Sequence, residues 1–229
     1  MGKYFGTDGV RGVANIELDA MLAFKIGAAA AYLLSQEQKQ GGKAKLLIGK
    51  DTRISSDMLE SALVAGICSV GADVELLGVI PTPAIAYLTI KHKADAGIVI
   101  SASHNSYEYN GIKIFAGSGY KLSDELEGKI EALIDDFDSV PRASHEKLGR
   151  VIKSKIDPVV EYTDHLAETV TGDLSGLRVA IDCANGASSS TIVRLMRLLE
   201  CKADYRFYEP DGLNINDSCG STHLENLQE

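Results

Sequence analysis

The sequence predicts an α/β protein: a mixed, mostly parallel sheet with helices on both faces, followed by a truncated second domain of similar type. Three observations predict it. Short apolar runs alternate with longer stretches of helical periodicity along most of the chain. One run, Ala96 to Ile100, is apolar without a break, the pattern of a strand buried on both faces. The composition is ordinary for a globular chain: 229 residues, 45% apolar and 24% charged. That length suits one large or two smaller domains.

The elements follow in order. Asp19 is placed to cap a helix that runs to about Lys39, with Leu22, Ile26, Ala30 and Leu33 on one stripe and Gly41-Gly42 as its stop. Lys45 to Gly49 reads as a strand. Asp57 with Glu60 has the spacing of a capping box for a helix ending near Gly71. Val74 to Val79 is a second strand, and Pro81 to His92 a helix with proline at its start. After Ala96 to Ile100 comes an Asn110-Gly111 turn and a strand from Asn110 to Ala116. Ser123 caps a helix from Asp124 to Phe137, whose leading acids suit the positive end of the helix dipole.

Asp138 to Ser154 is polar and weakly periodic, so the boundary falls there, giving domains at 1–153 and 154–229. The second contains a helix (Pro158 to Val170), a strand (Arg178 to Cys183), a helix (Ser188 to Glu200) and a strand (Ala203 to Tyr208). Pro210 to Glu229 shows no periodicity. Two strands are too few for an independent sheet, so this domain reads as cut short.

Charge and cysteine usage exclude several classes. With 23 basic against 32 acidic residues the formal charge is -9, which disfavours nucleic acid and anionic membranes as partners. The longest uncharged run, Leu76 to Ile90, is too short to span a bilayer and holds two prolines. Cys68, Cys183, Cys201 and Cys219 form no CxxC pair, which favours reduced thiols and a cytoplasmic location.

Four motifs carry chemistry. Ser101-Ala102-Ser103-His104-Asn105 follows the apolar strand at its carboxyl end, where open α/β sheets place ligands. A serine beside histidine and asparagine suits a nucleophile or phosphoryl carrier; the bland alternative is a polar loop. Asn110-Gly111-Ile112-Lys113 brings a lysine close to Ser103 in sequence, as general acid or base or as a phosphate contact. Gly6-Thr7-Asp8-Gly9-Val10-Arg11-Gly12 combines close backbone approach with the planar fork of Arg11. Gly49-Lys50-Asp51-Thr52-Arg53 ends a strand just before a helix start, another anion-binding position. Taken singly, Asn110 to Lys113 reads better as a hairpin turn with a solvated lysine, and the last two have a turn with surface charges as their alternative.

Together these motifs, in this order and spacing, resemble the α-D-phosphohexomutases. Asp182 to Ala187 resembles that family's second-domain turn. Pro210 to Asn216 and Cys219 to His223 resemble the branch acting on glucosamine phosphates. The resemblance implies that Ser103 carries a phosphoryl group. It implies interconversion of glucosamine 6-phosphate and glucosamine 1-phosphate through glucosamine 1,6-bisphosphate, on the route to UDP-N-acetylglucosamine and cell-wall precursors. Arg11 and Lys113 would be the acid/base candidates, and His104 would support the phosphoserine or the sugar hydroxyls. Arg53, Lys50 and Asn105 would hold substrate or phosphate. Mg²⁺ is the implied cofactor, bound here only through the Ser103 phosphate, because the family's aspartate loop lies beyond the chain. Ser106 stands where many relatives have proline, which would leave the loop looser.

The family is roughly twice as long as this chain, so the chain is expected to be an N-terminal fragment that does not turn over substrate alone. An open sheet edge in the second domain predicts self-association, with a homodimer as its simplest form. Other readings are a phosphomannomutase or phosphoglucomutase, and a non-catalytic module binding a diadenylate cyclase, a partner implied by the same branch.

Overall fold

The computed structural model describes residues 2–36 and 42–228. Its elements are β1 (Val10–Val13), α1 (Ala20–Gln36), β2 (Lys45–Lys50), α2 (Ser55–Ser69), β3 (Asp73–Val79), α3 (Thr82–Lys91), β4 (Ala96–Ile100), β5 (Tyr109–Ala116), α4 (Asp124–Asp135) and β6 (Val151–Ile152). They continue with α5 (Pro158–Thr169), β7 (Arg178–Asp182), α6 (Ile192–Leu198), β8 (Lys202–Arg206) and α7 (Glu225–Gln228). Six strands make one sheet in the order β1-β5-β4-β2-β3-β6, and β7 pairs with β8 separately. β4, β2, β3 and β6 run parallel, while β5 is antiparallel to both its neighbours.

The alternation of side chains along the sheet explains the layers. Leu46, Ile48, Ile98, Ile100, Ile112 and Ile114 point to one face, where they join α1, α2 and α4 in one core. Leu47, Leu77 and Val99 point to the other, against α3 and α5. Every residue of β4 is buried, as its unbroken apolar run requires. Asp19 and Ser123 cap as expected: Asp19 Oδ1 accepts from the Leu22 amide at 2.7 Å, and Ser123 Oγ from the Leu126 amide at 3.3 Å. The expected end of the first helix, at Lys39 and Gly41, lies outside the described residues.

Several expectations are corrected. Asp57 and Glu60 form no capping box, since α2 begins at Ser55 and its cap residue, Ile54, has no side-chain acceptor. Both acids instead hold Lys50 Nζ, at 2.7 and 2.6 Å. Asn110-Gly111 is not a turn: both residues lie inside β5, and the chain reverses earlier, through residues 103–108. Val10–Val13, whose first three residues end the Gly6–Gly12 motif and which has no strand assigned from sequence, pairs with β5 as an edge strand. Val151–Ile152, within the expected boundary stretch, adds to β3 through Val74 and Glu75. The Asp124 helix stops at Asp135, and the Ser188 helix resolves into a 3₁₀ turn (Ala187–Ser190) followed by α6.

Beyond β6, Ile156 and, from α5, Tyr162 pack in the cluster that covers α3. Tyr87 and His165 stack there with centroids 4.0 Å apart. Glu161 accepts from Lys91 at 2.8 Å and bonds to His92 Nε2 at 2.7 Å. Cys68, Cys183, Cys201 and Cys219 are all free thiols. Among the described residues no helix is long and apolar enough to cross a membrane.

Candidate active site

Register brings the motifs together. In the parallel pair Lys50 sits opposite Ile100, so β2 and β4 end side by side and the Asp51 amide donates to Ile100 O at 2.9 Å. β5 runs the other way, so it starts at that same edge; the Ser101 amide donates to Gly111 O at 2.9 Å. Arg11 of β1 lies opposite Gly111. Residues 51–53, 101–106, Arg11 and Asn110 therefore share the carboxyl edge of the sheet, the usual place for ligands in such folds.

Ser103 is exposed and its φ is +58°, in the left-handed region that a serine seldom occupies. The loop is held from beneath. Ala102 is fully buried, and Ser101 Oγ accepts from the Ser103 amide at 3.2 Å. Arg53, only 2% exposed, lies under the turn: Nε binds Asp51 at 3.0 Å, Nη1 donates to Ser106 O, and Nη2 donates to Ser103 O at 3.0 Å and Asn105 O at 2.9 Å. Its place is thus beneath the serine loop rather than open to a phosphate. Burial pushes its pKa down, Asp51 opposes that, and Arg11 adds to the depression.

Arg11 pairs with Asp8 at 3.2 Å, and its Nε is buried with no hydrogen-bond partner among the described residues. Gly9 permits this arrangement. Its φ is +84°, and a Cβ there would run into the carbonyl oxygen of Ile112. Lys113 is half-buried beside Thr7, Asp8, Gly9 and Thr82, on a cavity of about 220 Å³. Burial pushes its pKa down, Arg11 pushes the same way, and Asp8 partly restores it. The Arg11 charge thus lowers the pKa of both Lys113 and Arg53.

The remaining candidates lie at varying distances from that centre. His104 is exposed beside Ser103. Asn105 contributes its carbonyl to Arg53. Lys50 points away, toward α2. Burial opposes its charge, but Asp57 and Glu60 outweigh burial and raise its pKa. Sequence reasoning names three supporting groups within its motifs but gives them no role. Asp51 anchors Arg53, and fully buried Asn110 donates to Ser55 and Ser56 Oγ at 2.9 and 3.2 Å. Asn216 Nδ2 reaches the Ser103 and Asn105 carbonyls at 3.0 and 2.9 Å from 113 and 111 residues away. Nothing within Pro210 to Asn216 gives Asn216 this role, because its partners are backbone atoms distant in sequence.

An exposed hydroxyl on a turn braced from beneath, at the carboxyl edge of a mostly parallel sheet, suits group transfer. Comparison with known proteins agrees. The model of the phosphoglucomutase/phosphomannomutase family, alpha/beta/alpha domain I, matches residues 2–140. A phosphoglucosamine mutase of Clostridium botulinum is 58% identical over the whole chain, which covers 51% of that relative. One of Acetivibrio thermocellus is 56% identical, again over the whole chain and 50% of the relative. The chain thus spans about half the length of the curated relatives it matches. A crystal structure of a phosphoglucomutase/phosphomannomutase family protein from Burkholderia thailandensis superimposes with a TM-score of 0.81 at 27% identity, over 98% of this chain and 48% of that one. On its fold, its motif geometry and these matches, the chain belongs to the phosphoglucomutase/phosphomannomutase family.

Proposed function

We propose that the protein works as a phosphoglucosamine mutase, with Ser103 as its phosphoryl carrier. The observation that carries this reading is the Ser103 turn, exposed, left-handed and held by Arg53 from below. In the first step the bond from phosphorus to Ser103 Oγ breaks as a bond to a glucosamine phosphate hydroxyl oxygen forms. The hydroxyl proton leaves to Lys113, the acid/base candidate on β5, whose pKa burial lowers from its ordinary value. The bisphosphate then turns over, and the other phosphoryl returns to Ser103 with the proton moving back. Arg11 offsets charge on the transferring oxygens, and His104 and Asn105 flank the serine.

Mg²⁺ would add charge neutralisation at the phosphate. Among the described residues, though, no cluster of three or more His, Cys, Asp or Glu side chains could hold a metal ion, so no step here is routed through it. This 229-residue chain alone is accordingly proposed not to isomerise glucosamine phosphate, and an isomerisation assay tests that. The free thiols support a cytoplasmic location, and the uncovered β7–β8 pair supports association between copies.

The decisive experiment is intact mass with peptide mapping after incubation with glucosamine 1,6-bisphosphate. One added phosphate should map to Ser103 and be absent from Ser103→Ala. Incorporation at another residue, or undiminished incorporation in Ser103→Ala, overturns the reading.

A further inference from the structure

We propose that Asn216 is a positioning residue for the phosphoryl-carrying serine: it fixes the Ser103 turn only while residues 209–220 are docked on the first sheet. The inference rests on the reading of Ser103 above. Two carbonyls, those of Ser103 and Asn105, point inward, and each accepts two N–H donors. One donor of each pair comes from Arg53 Nη2 and the other from Asn216 Nδ2, at 2.9–3.0 Å throughout. A single amide nitrogen carries two hydrogens, so it can bridge both oxygens at once. Carbonyl oxygens only accept, which obliges the nitrogen of that amide to face them.

Asn216 is itself tied down. Its φ is +58°, a conformation asparagine tolerates better than most residues. Its amide donates to Ala184 O at 2.9 Å, and Ile215 beside it is buried. Buried Asn185 organises the same segment, donating to Asn214 O at 3.2 Å and accepting from the Glu209 amide at 3.1 Å. One bond joins this segment to the residue before α2, the Ile54 amide to Gly212 O at 2.9 Å, and another joins the Asn185 turn to the same loop, Thr52 Oγ1 to Asn185 O at 2.6 Å. Arg53 is supplied by the same sheet as the serine, so it holds the loop whatever the rest of the chain does. Asn216 is not, so its two bonds make serine geometry depend on docking.

The test uses this chain, by amide hydrogen exchange and NMR. In Asn216→Ala the Asn105 amide, which bonds Ala102 O, should exchange about tenfold faster, the loss of roughly one net hydrogen bond. The Ser103 HN–Hα coupling should move away from its left-handed value, while β2 and β4 amides keep their protection. Asn216→Asp keeps the shape and the backbone tolerance but replaces the donor with an acceptor, so it should loosen the loop at least as much. It decides the matter should Asn216→Ala also disturb β8. Unchanged Ser103 coupling and Asn105 exchange in Asn216→Asp overturn the inference. The two readings fail separately: loosening of the loop with no phosphate taken up by Ser103 sinks the mutase reading alone, whereas a phosphorylated Ser103 on an unaffected loop sinks the clamp alone.

Discussion

The two sheets of this chain differ in what holds them. In the first, β4 is buried along its whole length and β2 along all but its ends, with helices on both faces. In the second, β7 and β8 pair over five residues and neither contains a buried one. Ser103, His104 and Arg11 stand at the carboxyl edge of the first sheet, and Lys113 lies within β5, opposite Val99. The second contributes through loops, by Asn185, Gly212 and Asn216, and not through its strands. The difference teaches that site rigidity here comes from the covered sheet, while the residues beyond β6 act on the site as a detachable brace.

The largest effect expected breaks that rigidity at its centre. Arg53→Ala would leave Asp51, 4% exposed, as a buried charge without its guanidinium and would take one donor from each of three loop carbonyls. A loss of about 3–5 kcal/mol in denaturant stability is expected. A loss below about 1 kcal/mol would mean the guanidinium is not what holds the loop. Next, Ile98→Ala in β4 should cost about 3 kcal/mol through its cavity. The matching truncation in the open pair, Val179→Ala, should cost under about 1 kcal/mol. Equal losses at the two positions would erase the contrast between the sheets.

How much of this was legible depended on the range of each interaction. Ala96–Ile100 was readable because burial on both faces leaves an unbroken apolar run, and Ser123 because a cap acts within one turn. Ser103, Arg11 and Lys113 were named from motifs, and register sets Arg11 opposite Gly111 and Lys113 opposite Val99. Asp57 and Glu60 misled because their spacing also suits two acids on one helix face, and a lysine from β2 claims both. Arg53 looked like a phosphate contact because nothing in GKDTR tells that three carbonyls 50 or more residues away take its donors. Val10–Val13 was hidden by its glycine and its length of four residues, since an edge strand that short owes its form to its partner β5.

The smallest effect expected concerns Lys113, and it has the opposite sign. Its folded pKa lies below the ordinary 10.5, chiefly because burial penalises the ammonium. Between the depressed value and 10.5 the unfolded chain binds more protons than the folded one, so stability rises with pH across that window. Below it the folded state bears the whole penalty of a half-buried charge next to Arg11. Lys113→Met removes that penalty while filling the same space. It should raise Tm by about 2 °C at neutral pH, flatten the rise of Tm with pH, and abolish phosphoryl uptake by Ser103. Thermal melts across pH on both proteins check this. A lower Tm in Lys113→Met would show that the lysine stabilises the cleft rather than being held there against its own solvation.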